Sequence, residues 1–306
     1  MKEIFTKIIF FIIIIAVFTG AINSQIALLL GFIFAQFFKN PLKSYNHKTI
    51  HYFLKISLIG LGFGMLIKET LETSKESFNL TFYAIILTVS FGVLLTKLLK
   101  FDSKLGFLIT SGTSICGGSA IAAISPIIKA NSNIISVALS TVFLLNAIAL
   151  LIFPTVGHFL GLTQEQFGLW CAIAIHDTSS VVGAALEYGD QALKIATTVK
   201  LSRTLWIIPL SIFSIFFFKT KREKIKIPYF ILLFIVAIFI NSYHILPAST
   251  TNLIVLGSKR LLVLTLFLVG SSISISDLKS AGIKPVLLAL ILWAFISFFS
   301  LIYITY

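Results

Sequence analysis

Charged residues are scarce in this sequence. Asp, Glu, Lys and Arg make up 11% of the 306 residues, against about 25% in ordinary soluble domains. Hydrophobic residues make up 58%, and the mean hydropathy is +1.03. A soluble domain of this size could not bury that much apolar surface. The composition therefore excludes a cytosolic enzyme and a disordered chain, and it predicts an all-α polytopic membrane protein that forms one domain over residues 1–306.

Acidic residues are the scarcer of the two charged types. The chain has 11 Asp and Glu against 24 Lys and Arg, which gives a net charge of +13. In a soluble protein this excess would indicate nucleic acid, but the cytoplasmic loops of membrane proteins also collect Lys and Arg, and we expect no nucleic-acid partner. The two cysteines, Cys116 and Cys171, lie in apolar stretches, which excludes a disulfide framework and a zinc site. We expect no cofactor and no bound metal.

Apolar runs account for most of the chain. There are about eleven of them, and most approach the ~20 residues that a spanning helix needs. They cover residues 4–20, 22–38, 50–67, 78–96, 105–130, 132–156, 166–188, 192–218, 228–242, 251–275 and 284–305. Three stretches between them are rich in basic residues: 39–48, 97–104 and 219–226. Placing these stretches in the cytoplasm puts the N-terminus inside and the C-terminus outside the bilayer.

Segments 105–130 and 166–188 differ from the others because each has a short polar break between two apolar arms. Two geometries fit. Each break interrupts a helix that crosses the membrane, which gives about eleven spans, or each is the tip of a re-entrant hairpin, which gives about nine spans and two hairpins. The arms are only about 10–11 residues long. Lys129 on one side, with Glu165, Glu187 and Asp190 on the other, mildly favours hairpins.

A shift of 61 residues relates the two broken segments. It overlays Ser119 on Ser180 and Ile134 on Ile195. The pattern indicates an internal repeat, although chance could also give so few matches.

The first break carries residues suited to binding an anion. Its glycines let the backbone turn and approach a ligand closely, and its hydroxyls donate hydrogen bonds. A second helix that begins near Ser119 would point its N-terminus at the break. The candidate ligands are Thr113, Ser114, Cys116, Gly117, Gly118 and Ser119. The alternative is that these small residues only permit close helix packing.

The second break adds ionisable groups. Asp177 is a carboxylate inside an apolar segment, where such groups are costly and are functional candidates by default. His176 beside it titrates near physiological pH when unperturbed, so we predict that the pair contacts the ligand or couples a proton. Thr178, Ser179 and Ser180 complete this wall of the site. A compatible alternative is that Asp177 caps the helix that begins at Thr178.

Two cations follow the second break. Lys200 and Arg203 are three residues apart, so they share one helix face. They predict a basic pocket beside the breaks, with Asp177 as a partner for one of them; the alternative is that both side chains extend to the lipid headgroups. Asn146, a lone polar residue in segment 132–156, predicts a hydrogen bond between helices.

These motifs together resemble the YeiH-like sulfate exporter family of bacterial inner-membrane proteins. The stretches that carry the resemblance are Ser111-Gly-Thr-Ser-Ile-Cys-Gly-Gly-Ser-Ala-Ile-Ala-Ala with Pro126, Ile175-His-Asp-Thr-Ser-Ser-Val-Val-Gly-Ala-Ala, and Val199-Lys-Leu-Ser-Arg203 with Pro209-Leu210. The resemblance implies about ten or eleven spans. It also implies a fold of the bile-acid symporter and sodium/proton antiporter type, in which discontinuous helices cross, and so it favours crossed broken helices.

The leading functional hypothesis is a secondary transporter that exports a small anion, such as sulfate, sulfite or a sulfonate, coupled to a proton or sodium. A sodium- or proton-coupled carrier of an organic acid is the second hypothesis. A channel is a less favoured alternative. An intramembrane enzyme is disfavoured, since His176 and Asp177 are adjacent and cannot face each other on a helix as a base and its orienting partner. A homo-oligomer is compatible with the sequence.

Overall fold

The computed structural model describes residues 2–38, 46–220, 229–272 and 282–306. Within these ranges the chain forms fourteen helices and no strand. The helices are α1 (Lys2–Thr19), α2 (Ser24–Phe37), α3 (Asn46–Gly62), α4 (Ile67–Leu98), α5 (Ser103–Ser114), α6 (Gly118–Ile127), α7 (Ser132–Phe159), α8 (Gln164–Ala174), α9 (Thr178–Tyr188), α10 (Asp190–Thr204), α11 (Ile207–Phe218), α12 (Phe230–Ser242), α13 (Ala248–Gly270) and α14 (Ile283–Thr305). The prediction of an all-helical polytopic membrane protein is confirmed.

Five helical stretches are long and apolar enough to cross a membrane. They are Ile67–Leu98, Ser132–Phe159, Asp190–Phe218, Ala248–Gly270 and Ile283–Thr305. The basic stretches predicted at 39–48 and 219–226 lie largely outside the described residues.

Helices α5 and α6 form a helical hairpin, named hairpin 1. Asp102 starts α5 by accepting hydrogen bonds from the backbone of Lys104 and Leu105. The chain reverses at Gly117, whose φ of +61° is a conformation that L side chains rarely adopt. The Lys104 ammonium donates a 2.8 Å hydrogen bond to the Lys129 carbonyl. The start of α5 therefore lies beside the end of α6.

Helices α8 and α9 form hairpin 2 in the same way. Thr163 and Gln166 make a reciprocal capping box at the start of α8. At the far end of α9, the Tyr188 hydroxyl donates to the Leu162 carbonyl at 2.6 Å. The Tyr188 ring also stacks on that of Phe167, with centroids 3.8 Å apart. The two arms lie side by side.

The crossed broken helices favoured by the family resemblance are therefore wrong for both segments, and the hairpin geometry is correct. The arms have 10 to 12 residues. At about 1.5 Å per residue they are about 15–18 Å long, half the thickness of a bilayer core. A chain of that length reaches the middle of a bilayer and returns.

The hairpins enter the bundle from opposite ends. Helix α7 begins beside the base of hairpin 1 and ends beside the base of hairpin 2, where the His158 ring stacks on Tyr188 at 4.2 Å. Helices α10 and α11 run back toward the base of hairpin 1, where the Phe218 ring lies 5.1 Å from that of Phe107.

A shift of 61 residues superposes the bounds of α5, α6 and α7 on those of α8, α9 and α10–α11 to within three residues. The helix order and bounds therefore agree with the indicated internal repeat, and the hairpins of its two copies enter from opposite ends.

Small residues set the packing of α13 against its neighbours α2 and α3. A Cβ atom at Gly31 of α2 would overlap the carbonyl oxygen of Phe267, and one at Gly270 of α13 would overlap that of Leu28. Gly60 of α3 faces Ser258 of α13 just as closely. Backbone approaches backbone here, as is common where small residues line membrane helix interfaces.

We predict that Gly31→Ala lowers stability by about 1–3 kcal/mol, because the obstructing atom is a backbone carbonyl that cannot rotate away. The matched control is Gly257→Ala in α13, where no described atom lies within 4 Å of the new methyl group. There the substitution should be neutral or stabilising by about 0.5–1 kcal/mol. Thermal unfolding of the detergent-purified proteins measures both. Equal melting temperatures for the two variants would contradict the packing described.

Candidate functional site

The tips of the two hairpins meet inside the bundle. Gly117 is buried, and a Cβ placed on it would lie 3.4 Å from the Cα of Asp177. Its φ of +61° is paired with a ψ of −122°, a combination that favours glycine. The two tips therefore touch at this point, and it is the backbone conformation rather than lack of space that favours glycine there.

Asp177 caps helix α9. Its Oδ2 accepts hydrogen bonds from the backbone nitrogens of Ser179 at 3.0 Å and Ser180 at 3.2 Å, and from the Ser179 hydroxyl. The cap predicted for this residue is confirmed. The cap partly neutralises the positive end of the α9 dipole.

Asn146 of α7 holds the backbone of the second tip. Its Oδ1 accepts from the nitrogens of His176 at 2.9 Å and Asp177 at 3.2 Å. The predicted interhelical hydrogen bond is confirmed, although its partner is a helix break. These two bonds fix the amide, and its Nδ2 donor is buried without a partner among the described residues.

Arg203 connects the two hairpins. Its Nε and Nη2 donate to the Ser114 carbonyl at 2.9 and 2.6 Å, and its Nη1 donates to the Ile173 carbonyl at 2.6 Å. A longer bond of 3.3 Å reaches the Ala172 carbonyl. The guanidinium therefore bridges the C-terminal ends of α5 and α8, whose carbonyls lack partners within their helices.

Lys200 lies on the same face of α10 as Arg203 and donates hydrogen bonds at the end of α8. Its ammonium donates to the Ile175 carbonyl at 2.7 Å and to Ala172 at 3.3 Å. Lys200 and Arg203 are both fully buried. Extension of these side chains to the headgroups is therefore wrong, and within the described ranges neither forms an ion pair with Asp177.

The buried charge at the tips is positive. The tips carry two cationic side chains, Lys200 and Arg203, and one carboxylate, that of Asp177, which accepts hydrogen bonds from its own helix. Each cation faces the negative end of a helix dipole. At the first tip, no described side chain caps the N-terminus of α6. A buried positive site with an uncapped helix N-terminus is suited to an anion.

Several buried polar atoms near the tips have no partner among the described residues. They are Thr113 Oγ1, Asn146 Nδ2 and both ring nitrogens of His176. His176 is fully buried and lies within electrostatic range of Lys200 and Arg203. Buried polar groups are nearly always hydrogen-bonded in folded proteins, so such a group calls for an explanation, and a bound ligand is one.

Most of the predicted site residues come together. The buried ones are Thr113, Ser114, Cys116, Gly117, His176, Thr178, Ser179, Ser180, Lys200 and Arg203. Gly118 is partly buried, with Phe143 of α7 close to its Cα. Ser119 is exposed, unlike the other hydroxyl residues of the predicted set, and its role as a ligand stays a prediction.

Sequence reasoning missed two features of α10. Thr204 lies beside the Cys116 thiol, which brings α10 to the first tip. Segment 192–218 is also interrupted at Leu205 and Trp206. Pro209 was the available signal, because it has no N–H to donate to the Leu205 carbonyl; that carbonyl accepts from Ile208 instead.

This architecture defines an all-helical membrane protein built on two opposed hairpins. The chain belongs to the family described as conserved hypothetical protein 698, which matches residues 7–289. The family resemblance found in the sequence is confirmed. No solved structure matches the chain.

Relatives cover nearly all of the chain. A UPF0324 membrane protein of Photobacterium profundum is 50% identical over 96% of this chain and 90% of its own length. UPF0324 membrane proteins of Bacteroides thetaiotaomicron and Shewanella oneidensis are each 46% identical, over 92% and 94% of this chain and 86% and 91% of their own.

We predict that Arg203→Lys lowers stability by about 2–5 kcal/mol, because one ammonium cannot reach carbonyls on both hairpins and leaves buried acceptors unpaired. Arg260→Lys, at a partly buried arginine of α13 beside Gly20, is the matched control and should change stability far less. Melting curves in detergent compare the variants. An Arg203→Lys protein that melts with the wild type would show that the bridge contributes nothing.

Proposed function

We propose that the protein is a secondary active transporter of a small oxyanion, which binds between the tips of the two hairpins. The observation that carries the proposal is the pair of buried cations, Lys200 and Arg203, with a single carboxylate nearby. Intramembrane ionisable groups are expensive and mark substrate pathways by default. A net positive site surrounded by hydrogen-bond donors selects an anion.

The donors around the tips define how the anion would be held. The backbone N–H groups at the uncapped start of α6 supply one side of the site. Asn146 Nδ2 and the Thr113 hydroxyl are buried donors without other partners among the described residues, and the His176 ring supplies another. Donors of this kind fit the oxygens of sulfate, sulfite or a sulfonate, the substrates that the family resemblance suggests.

In the membrane, this fold corresponds to about nine crossing helices and two re-entrant hairpins. The hairpin arms are about half as long as the bilayer core is thick, so we expect the tips to lie near the midplane. Irregular backbone is tolerated there because protein surrounds it. The end of the bundle that carries Lys97, Lys104 and Lys129 faces the cytoplasm of a bacterial inner membrane, which puts the N-terminus inside.

The inverted repeat supports alternating access. Many transporters place their substrate at the interface of two inverted repeats and expose it to each side in turn. Here the repeats meet at Gly117 and Asp177. We propose a carrier rather than a channel or an enzyme, since the tips are closely packed and His176 and Asp177 do not form an acid–base pair.

A sodium- or proton-coupled carrier of an organic acid is a second candidate, and the partial exposure of Asp177 beside the tips favours it. Asp177→Asn separates the two roles of this residue, because asparagine caps helices as well as aspartate does but carries no charge. A loss of coupling with unchanged stability would identify Asp177 as the ion-coupling group. A fully coupled Asp177→Asn protein would contradict that role.

We predict that purified protein in liposomes moves sulfate, sulfite or taurine when a pH or sodium gradient is imposed.

Thr113→Val removes one buried hydroxyl without changing the shape of the side chain. It should raise KM for the transported anion by about tenfold to a hundredfold through the loss of one hydrogen bond to a charged ligand. Thr265→Val is the matched control, since its hydroxyl is buried but donates to the Leu261 carbonyl within α13. Equal KM values for the two variants would contradict the site, and no flux of any of the three anions would contradict the substrate class.

A further inference from the structure

A cleft of about 210 Å³ lies between α3, α10 and α13, at the end of the bundle that holds the base of hairpin 2. Its polar lining comprises Asp190, Lys194, Thr197, Asn252 and Lys259. Asp190 is the first residue of α10. The cleft therefore opens where α10 begins and extends along that helix.

One face of α10 leads from this cleft to the hairpin tips. Leu193 and Thr197 line the cleft, and Lys200 and Thr204 follow at helical spacing on the same face. Thr197 is one turn from Lys200, about 4.5 Å along the helix axis. The floor of the cleft, at Thr197, is therefore next to Lys200, whose buried ammonium donates to the carbonyls at the end of α8.

The mouth of the cleft carries an ion pair that can exchange partners. The Lys259 ammonium contacts Asp190 Oδ1 at 2.5 Å, and the two side chains are 24% and 75% exposed. A pair this exposed contributes little to stability. Lys194, also exposed, adds a second cation to the lining.

The neighbouring face of α10 lines a cleft of opposite charge. This second cleft, of about 320 Å³, is lined by Thr198 and by four glutamates: Glu69, Glu72, Glu76 and Glu165. It also includes Lys194, so the two clefts are adjacent. An anion that approaches α10 is repelled by the second cleft and attracted by the first.

We propose that the first cleft is an anion vestibule, in which Lys259 exchanges Asp190 for an oxyanion that passes along the Thr197 and Lys200 face of α10. The inference rests on the proposed transport function, and it adds the path by which the anion reaches one side of the membrane.

The two partners of the ion pair should affect transport in opposite directions. Lys259→Gln removes the cation and should raise KM about threefold to tenfold with little change in kcat, whereas Asp190→Asn frees Lys259 and should lower KM. A purely structural ion pair would make both variants change in the same direction, and that result would overturn the proposal. Lys97→Gln, at an exposed lysine in the last turn of α4, is the control and should leave KM unchanged.

Cysteine labelling tests the vestibule without any transport assay. In a Cys116→Ser, Cys171→Ala background, Asn252→Cys places a thiol at an exposed position of the first cleft, and Thr73→Cys places one at a half-buried position of the second. In nanodiscs, where both faces are accessible, a sulfonate-bearing methanethiosulfonate should modify Asn252→Cys at least about fivefold faster than a trimethylammonium analogue does. Thr73→Cys should show the reverse preference, and Lys259→Gln should abolish the preference at position 252 only.

The outcomes of this experiment separate the two proposals. If Asn252→Cys does not react, or prefers the cationic reagent, the vestibule is overturned even where the protein transports an anion. If the opposite preferences at 252 and 73 appear and no tested anion is transported, the vestibule is supported while the proposed transport function fails.

Discussion

The structure depends on how the carbonyl groups at two interrupted helix ends are satisfied away from water. A helix that stops inside a membrane leaves its last carbonyls without partners, and each unpaired group costs several kcal/mol in hydrocarbon. Arg203 donates to the ends of both α5 and α8, and Lys200 donates to the end of α8 and the turn that follows it. The same two side chains leave the tips with an excess of positive charge. The cations that stabilise the interrupted helix ends therefore also make the net charge of the site positive.

Much of this arrangement could be predicted from the sequence. The polar breaks and their short arms are local patterns, and the 61-residue shift is visible by comparing the sequence with itself; the helix bounds agree with all three. The position of Lys200 and Arg203 on one face follows from their spacing. The cap formed by Asp177 is equally local, because its donors are the second and third residues of α9. Local chemistry was therefore a reliable guide to where the chain would stop being helical.

The course of each arm after its break could not be read in the same way. A polar break between two apolar arms looks identical whether the chain continues across the membrane or turns back. The decision rests on contacts between residues distant in sequence, such as Lys104 with Lys129 and Tyr188 with Leu162. The hydrogen-bond partners of Arg203 could not be predicted from the sequence for a related reason. A sequence shows that a cation is present, but it does not show whether the cation faces a ligand or a helix end.

The inverted repeat bears on the direction in which the proposed carrier would move its substrate. A backbone made of two opposed copies offers the same path from either side, so it has no preferred direction of its own. Any preference must come from side chains that differ between the copies. The 61-residue shift places Cys116 of the first tip opposite Asp177 of the second. Cys116 and Asp177 are one such pair, and they lie where the two copies touch.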